Sequence, residues 1–264
     1  MRIVVCIKQV PDPEGPRDAY HINTDTGMVE PRGIGPVLSL FDENALELAL
    51  GIRDQNHAKS VSVLSIGRRI PNAVMLKALA AGADCLVKVE DEALDAANLD
   101  SSITARVLAA ALAKLGYDLI VVGRQAADWN DGQVGIGIAR LLDLPVVTLV
   151  RSLQASGNEL RIERVLPLGY EVVRTTLPAL IIVGGDGGEL RYPSMIQRRD
   201  AKNKPVTTWT LADIGLDTLP ARRVIRQRLF APELKDRACR LVEGASPAEA
   251  GRNLAERLHG DRVV

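Results

Sequence analysis

Aromatic residues are scarce in this chain, with two Trp, four Tyr and two Phe among 264 residues. That scarcity removes the stacking platforms on which single-stranded nucleic-acid binders rely. A surplus of charge is missing too: 33 Lys and Arg balance 33 Asp and Glu. No bulk field therefore draws nucleic acid or an anionic membrane to it. The cysteines are only three, Cys6, Cys85 and Cys239, without CxxC spacing. They read as buried or incidental thiols in a reducing compartment. No apolar run approaches the roughly 18 residues that span a bilayer. The opening MRIVVCIKQVPD enters a strand directly, without the apolar region of a secretory leader. The expectation is a soluble, cytoplasmic protein with no nucleic-acid partner and no direct membrane insertion.

Several catalytic patterns are absent as well. There is no GxSxG elbow, no Walker A sequence and no HExxH. His21, His57 and His259 fall in an expected turn, a loop and the tail, with nothing beside them to complete a triad or metal site.

What is present is alternation of strand and helix. Short apolar runs at 3–7, 60–66, 85–89, 119–122 and 146–150 alternate with helical patterns at 41–54, 72–81, 101–115 and from Gln133 onward. Asp42 is the expected N-cap of the first helix, and Gly82 and Gly116 stop the next two. The prolines at 11, 13 and 16 argue against regular structure there, and 21–29 reads as a hairpin around Asp25-Thr26-Gly27. Strand–helix alternation of this kind specifies a parallel sheet covered on both faces. From 149 to 178 the helices vanish, and turns at 156–158 and 167–169 mark an antiparallel excursion, followed by a strand at 179–184. The fold class is α/β: a doubly wound, mostly parallel sheet in a Rossmann-like three-layer sandwich, with that excursion and an extended C-terminal tail. Ser246-Pro247 with Glu249 fits a capping box opening a terminal amphipathic helix over 247–258.

The chain is organised around residues 117–137, YDLIVVGRQAADWNDGQVGIG. An apolar strand buried on both faces breaks into a polar loop that leads to a helix start. Such a junction sets free backbone N–H groups and a helix dipole beside an anionic ligand, so the loop is read as the seat of an adenine nucleotide. Asp128 and Asp131 fit a metal, but capping the helix or orienting a ribose hydroxyl is preferred. Trp129 has two readings, a purine stack or a hinge anchor. Gly132, Gly135 and Gly137 serve either ligand approach or close helix–sheet packing. The Gly184–Gly188 run lacks GxGxxG spacing and reads as a turn at a strand end.

Five pieces in order resemble the beta subunit of an electron transfer flavoprotein. They are VVCIKQVPD at 4–12, FDENALELAL at 41–50, LKALAAGAD at 76–84, GRQAADWNDGQVG at 123–135 and LRYPSMIQRRDAK at 190–202. The resemblance implies an alpha–beta heterodimer that shuttles electrons, with FAD mainly on the alpha subunit. The beta subunit then holds AMP, or a second FAD in members that bifurcate electrons and oxidise NADH. Matched position by position, the cofactor-binding residues are Cys6, Ser39, Leu40, Phe41, Asp42 and Ile66. The loop Gly123, Arg124, Gln125, Ala126, Ala127, Asp128, Trp129, Asn130, Asp131, Gly132, Gln133 and Val134 completes them. Phe41 matches the aromatic that approaches the partner's flavin. This chain departs from the family in Ser39-Leu40-Phe41 where Asn-Pro-Phe is common, and in Pro167-Leu168-Gly169 where an acidic cluster stands. Trp129-Asn130-Asp131-Gly132 likewise replaces a Gly-Asp-Thr-Ala run of the bifurcating members.

The segment 191–202 resembles the family's recognition loop, with Met195 at the apolar anchor beside Tyr192, Arg198 and Arg199. A flavin-dependent dehydrogenase, acyl-CoA dehydrogenase-like, is the partner it implies; the alternative for Met195 is core packing. Arg191 and Lys204 join these arginines as charges that either steer an acidic partner or keep the loop soluble. The implied organisation is a nucleotide-binding domain over 1–205, then an arm over 206–264 that packs on the alpha subunit. No catalytic residue is assigned, because an electron-carrier subunit converts no substrate unless it bifurcates. A competing reading is a stand-alone adenine-nucleotide sensor of the universal-stress type, which lacks the excursion and the tail.

Overall fold

The computed structural model describes residues 1–23, 28–55, 57–231 and 239–263. It resolves into two compact units, Met1–Leu229 and Phe230–Val264. In the first unit the strands are β1 (Arg2–Cys6), β2 (Gln9–Pro11), β3 (Tyr20–Asn23), β4 (Met28–Pro31), β5 (Pro36–Leu38), β6 (Ser60–Gly67) and β7 (Cys85–Glu90). They continue with β8 (Leu119–Gly123), β9 (Val146–Ser156), β10 (Glu159–Leu166), β11 (Gly169–Thr176), β12 (Ala179–Val183) and β13 (Val206–Trp209). Its helices are α1 (Leu40–Asp54), α2 (Asn72–Ala81), α3 (Ser101–Leu115), α4 (Val134–Leu141) and α5 (Met195–Asp200).

Nine of these strands form one sheet in the order β11-β10-β9-β12-β8-β1-β6-β7-β13. The six strands β12, β8, β1, β6, β7 and β13 run parallel, and β9 joins β12 in parallel before turning antiparallel through β10 and β11. The α/β class and the antiparallel excursion expected from the sequence are both seen.

Two apolar layers sandwich the sheet. Ile3 and Val5 face α1 and α2 with Leu46, Leu50, Met75 and Leu79. Val4 and Cys6 face α3 and α4 with Ile103, Leu108, Leu112 and Ile138. Alternate residues of β1 thus feed opposite cores, which is why the strand reads as an unbroken apolar run. Gly135 and Gly137 bring the helical layer close. A Cβ at Gly135 would lie 2.7 Å from a Val122 methyl, and one at Gly137 2.8 Å from Ala105. Packing explains these two glycines.

The structure corrects several local expectations. The N-cap position of α1 is Ser39, not Asp42, because the helix begins one residue earlier and the Asp42 carboxylate turns elsewhere. The proline-rich start is not wholly irregular: β2 pairs with β5, with Pro11 opposite Pro36 at the end of a short two-stranded ladder where no further N–H is needed. The hairpin near 21–29 has its strands in β3 and β4, while Thr24 to Gly27, its expected turn, lie outside the described residues. The segment expected as an irregular recognition loop contains α5, opened by a full capping box between Ser194 and Gln197; a Ser-x-x-Gln spacing carried that signal. Residues just past 205 form β13, which pairs with β7 at the sheet edge.

The second unit holds α6 (Pro247–Gly260). The Ser246 hydroxyl accepts the Glu249 N–H at 3.2 Å, and the Glu249 carboxylate accepts the Ala245 N–H at 2.8 Å. None of the residues of this helix is buried. Among the described residues, no helix is long and apolar enough to cross a membrane.

Candidate functional site

β1 lies inside the sheet, with β6 and β7 added on one side before the chain returns to place β8 on the other. The carboxyl ends of β1 and β8 therefore flank a topological switch point, where two connections leave in opposite directions and open a crevice. Cys6 ends β1 in a buried position, and burial, then the neighbouring Asp42, pushes its thiol far above the usual range. Gly123 ends β8, and Ile66 lies half-buried near the end of the adjoining β6. The N-terminus of α1 enters the same edge, so that Phe41 and Asp42, just after Ser39 and Leu40, meet the loop that begins at Gly123.

Contacts at this edge are specific. Ser39 donates its N–H to the Lys8 carbonyl at 2.9 Å. Its hydroxyl is fully buried and finds no hydrogen-bond partner among the described residues. Leu40 is exposed. Phe41 lies under the Arg124 guanidinium, 5.1 Å from the ring centre. A Cβ on Gly123 would stand 2.6 Å from the Phe41 carbonyl carbon and would press on the Asp42 Oδ1. Only glycine allows loop and helix to approach this closely.

Beyond Gly123 the loop closes on itself. Gln125 donates its side-chain amide to Asn130 Oδ1 at 2.9 Å, and the Asn130 N–H reaches the Ala126 carbonyl at 2.9 Å. Asn130 takes a left-handed φ of 55° and Gly132 one of 66°, conformations those two residue types tolerate. Asp128 receives the Lys8 ammonium at 2.7 Å, and Asp131 receives the Ser101 hydroxyl at 2.7 Å. Ala126 and Ala127 are half-buried beneath the turn. Trp129, 42% exposed, carries the Arg226 guanidinium 5.2 Å from its ring centre. Its indole is thus stacked by a later segment of the chain, in line with the anchoring alternative. Gln133 precedes α4 without capping it through its side chain, and no acidic residue occupies the first turn from Val134. The N–H groups of that turn lie at the loop's exit and suit an anion.

Two groups at this edge escaped sequence reasoning. Lys8 ties β1 to the loop, and its position just past the strand end, in VCIKQ, was the available signal. Arg226 was not findable, because nothing in its local pattern marks it.

The expected docking residues stand on a different surface. Tyr192 is 85% and Met195 78% exposed, so packing into the core does not describe Met195. Arg198 covers the Tyr192 ring at 4.5 Å, and Arg199 pairs with Asp200 at 3.3 Å. Arg191 is no steering charge. It is clamped by Glu47 at 2.7 Å and Asp54 at 2.5 Å, which raise its already high pKa. Lys204 likewise turns inward to the carbonyls of Leu79 and Ala83.

A family model described as the electron transfer flavoprotein domain matches residues 26–214. The chain belongs to the electron transfer flavoprotein family. Its relatives include the electron transfer flavoprotein subunit beta of Clostridium acetobutylicum, 37% identical over 82% of this chain and 81% of that protein. The caffeyl-CoA reductase-Etf complex subunit CarD of Acetobacterium woodii is 34% identical over the full length of both. Protein FixA of Azorhizobium caulinodans is 32% identical over 97% of this chain and 93% of its own. The electron transfer flavoprotein fold described above is thus of the beta-subunit kind, and electron transfer is its business. The family match spans the switch-point loop and the Tyr192 segment together.

Proposed function

We propose that this chain is the beta subunit of a heterodimeric electron transfer flavoprotein that holds AMP structurally at the switch point. The alpha partner carries the FAD, which accepts electrons from a flavin-dependent dehydrogenase, acyl-CoA dehydrogenase-like, and releases them to a downstream acceptor. The single observation supporting the nucleotide is the convergence at one sheet edge of the Gly123 loop, the buried α1 entry and the uncapped first turn of α4. In this reading, N–H groups of the loop and of α4 hold the phosphate. Phe41 and Arg124, stacked on each other, face the partner's flavin. Tyr192 and Met195 form the apolar docking surface, with Arg198 and Arg199 around them; exposed aromatic and Met side chains on a fixed frame suit that role. The exposed helix α6 belongs to an arm that packs on the alpha subunit.

One observation favours a second reading, in which the beta site holds FAD and oxidises NADH. Gly123 to Ala126, Asp128 and Gln133 to Gly135 match the loop of the bifurcating members. Denaturing the purified heterodimer and identifying every nucleotide released decides between them. One flavin with one AMP supports the first reading and two flavins the second, whereas a complex with no second nucleotide overturns both.

A further inference from the structure

Asp42 is the group at this edge whose position calls for explanation. It is the third residue of α1, caps no helix end and is 7% exposed. Its Oδ2 accepts the N–H of Lys8, just past β1, at 2.8 Å. Its other oxygen, Oδ1, lies against Gly123, the last residue of β8, in the space that a Cβ there would need. β1 and β8 are the two strands beside the switch point, and their ladder ends at the pair Cys6 and Val122. The carboxylate thus takes over where the ladder stops, joining the two strand ends from the α1 side. Gly123 lacks the Cβ that would displace it. Lys8 is held on two further sides, its carbonyl by Ser39 and its ammonium by Asp128, so the backbone that Asp42 grips also connects helix to loop.

We propose that Asp42 is a positioning residue of the nucleotide seat: its carboxylate fastens the ends of β1 and β8 across the crevice and sets their spacing, without touching the nucleotide. This rests on the reading that the switch point holds a nucleotide. An ordinary third helix position does not bury a carboxylate. Here desolvation, only partly offset by the Lys8 N–H bond, the Lys8 charge and the nearby Gly123 N–H, pushes its pKa from 3.8 to about 7. The other charged and titratable groups around it are Asp128 in the loop and the Cys6 thiol on β1. Arg124 remains over Phe41. A fastening carboxylate and a contacting one respond to protonation with opposite signs. Protonating a fastener removes an acceptor from one strand end and loosens the seat. Protonating a carboxylate that faces phosphate removes a repulsion and tightens binding.

The test is the rate of AMP release from the intact heterodimer between about pH 6 and about pH 8, with FAD as a parallel probe. Release is expected to be about tenfold faster at the acid end, the worth of a hydrogen bond to a charged acceptor. Asp42→Asn is expected to release AMP quickly at all pH values, with a flattened profile. Slower release at acid pH or a flat wild-type profile overturns the proposal. Should the wild type retain no nucleotide at any pH, the functional reading fails, and amide hydrogen exchange then decides the fastening by itself. Protection at Lys8 and Gly123 that drops on acidification keeps it, and unchanged protection ends it. That measurement also serves if Asp42→Asn does not assemble.

Discussion

The switch-point edge and the Tyr192 segment, the two surfaces proposed for recognition, are built in opposite senses. At the edge, side chains are turned inward on one another: Asp42 to backbone, Lys8 to Asp128, Gln125 to Asn130. What is left for the proposed ligand is backbone N–H. In the Tyr192 segment the inward charge is at the root, where Arg191 is locked to Glu47 and Asp54, and the apolar side chains are left outward. A small anionic ligand needs fixed dipoles; a protein partner needs apolar area on a frame that loses little freedom on binding. A cation ties each region down: Lys8 joins the end of β1 to the loop, and Arg191 joins its segment to α1.

If the two regions are independent, each can be broken without the other. The largest effect is expected at Gly123→Ala. The new methyl meets the Phe41 carbonyl carbon at 2.6 Å and the Asp42 nitrogen at 2.8 Å, and backbone atoms cannot swing aside as a side-chain tip would. Overpacking of this kind costs about 1–3 kcal/mol, so the nucleotide should be lost on gel filtration, while electron uptake from a dehydrogenase persists in complexes still carrying flavin. Next is Met195→Ala. Removal of an exposed anchor should slow electron transfer from the dehydrogenase by about tenfold, as a docking contact worth about 1–2 kcal/mol would. Melting temperature and nucleotide content should not change. Unfolding or nucleotide loss in this variant would join the two regions and undo the comparison.

A subtler contrast appears on titration. Asp42 has a folded-state pKa raised to about 7 by desolvation, so between about pH 4 and about pH 7 the unfolded chain gives up this proton before the folded one does. The stability due to this group is then fully present in acid and declines as pH rises through that window. Asp42→Asn should remove that slope in denaturant melts, whereas Met195→Ala should leave it intact. A wild-type slope that survives Asp42→Asn would assign the titration to another group.

The parallel half of the fold was legible because β1, β6, β7, β8 and β12 are mostly apolar runs, with β6, β8 and β12 closed by glycine, and each helix between them carries its own period. The excursion was legible from its turns. The hidden parts are long-range: β13 joins β7 through four residues, Val-Thr-Thr-Trp, with no strong strand pattern. Asp42 reads locally as a helix cap, since acid before an apolar period is a cap signal. Only the fold shows that its partners are Lys8 and Gly123, strand ends brought to it by the sheet. The loop residues were legible as a set, because strand, polar loop and helix start lie consecutively in sequence. Trp129 was legible as a surface aromatic but not as the platform of Arg226, nearly a hundred positions later.

The smallest expected effect is Asp128→Ala, and it separates the loop's shape from its charge. Asp128 pairs with Lys8 at 2.7 Å, but the lysine side chain is 45% exposed, and a pair so open to solvent contributes no more than about 1 kcal/mol. Its loss should speed nucleotide release by a few-fold, far less than Gly123→Ala, and high salt should shrink the difference further as the charges are screened. The freed Lys8 ammonium pulls the other way, since it becomes available to a phosphate. If release slows in the variant, Lys8 is the group that the nucleotide wants, and Asp128 competes for it instead of shaping the loop. If release does not change at all in a mass measurement of the native complex, the ion pair plays no part in holding the nucleotide.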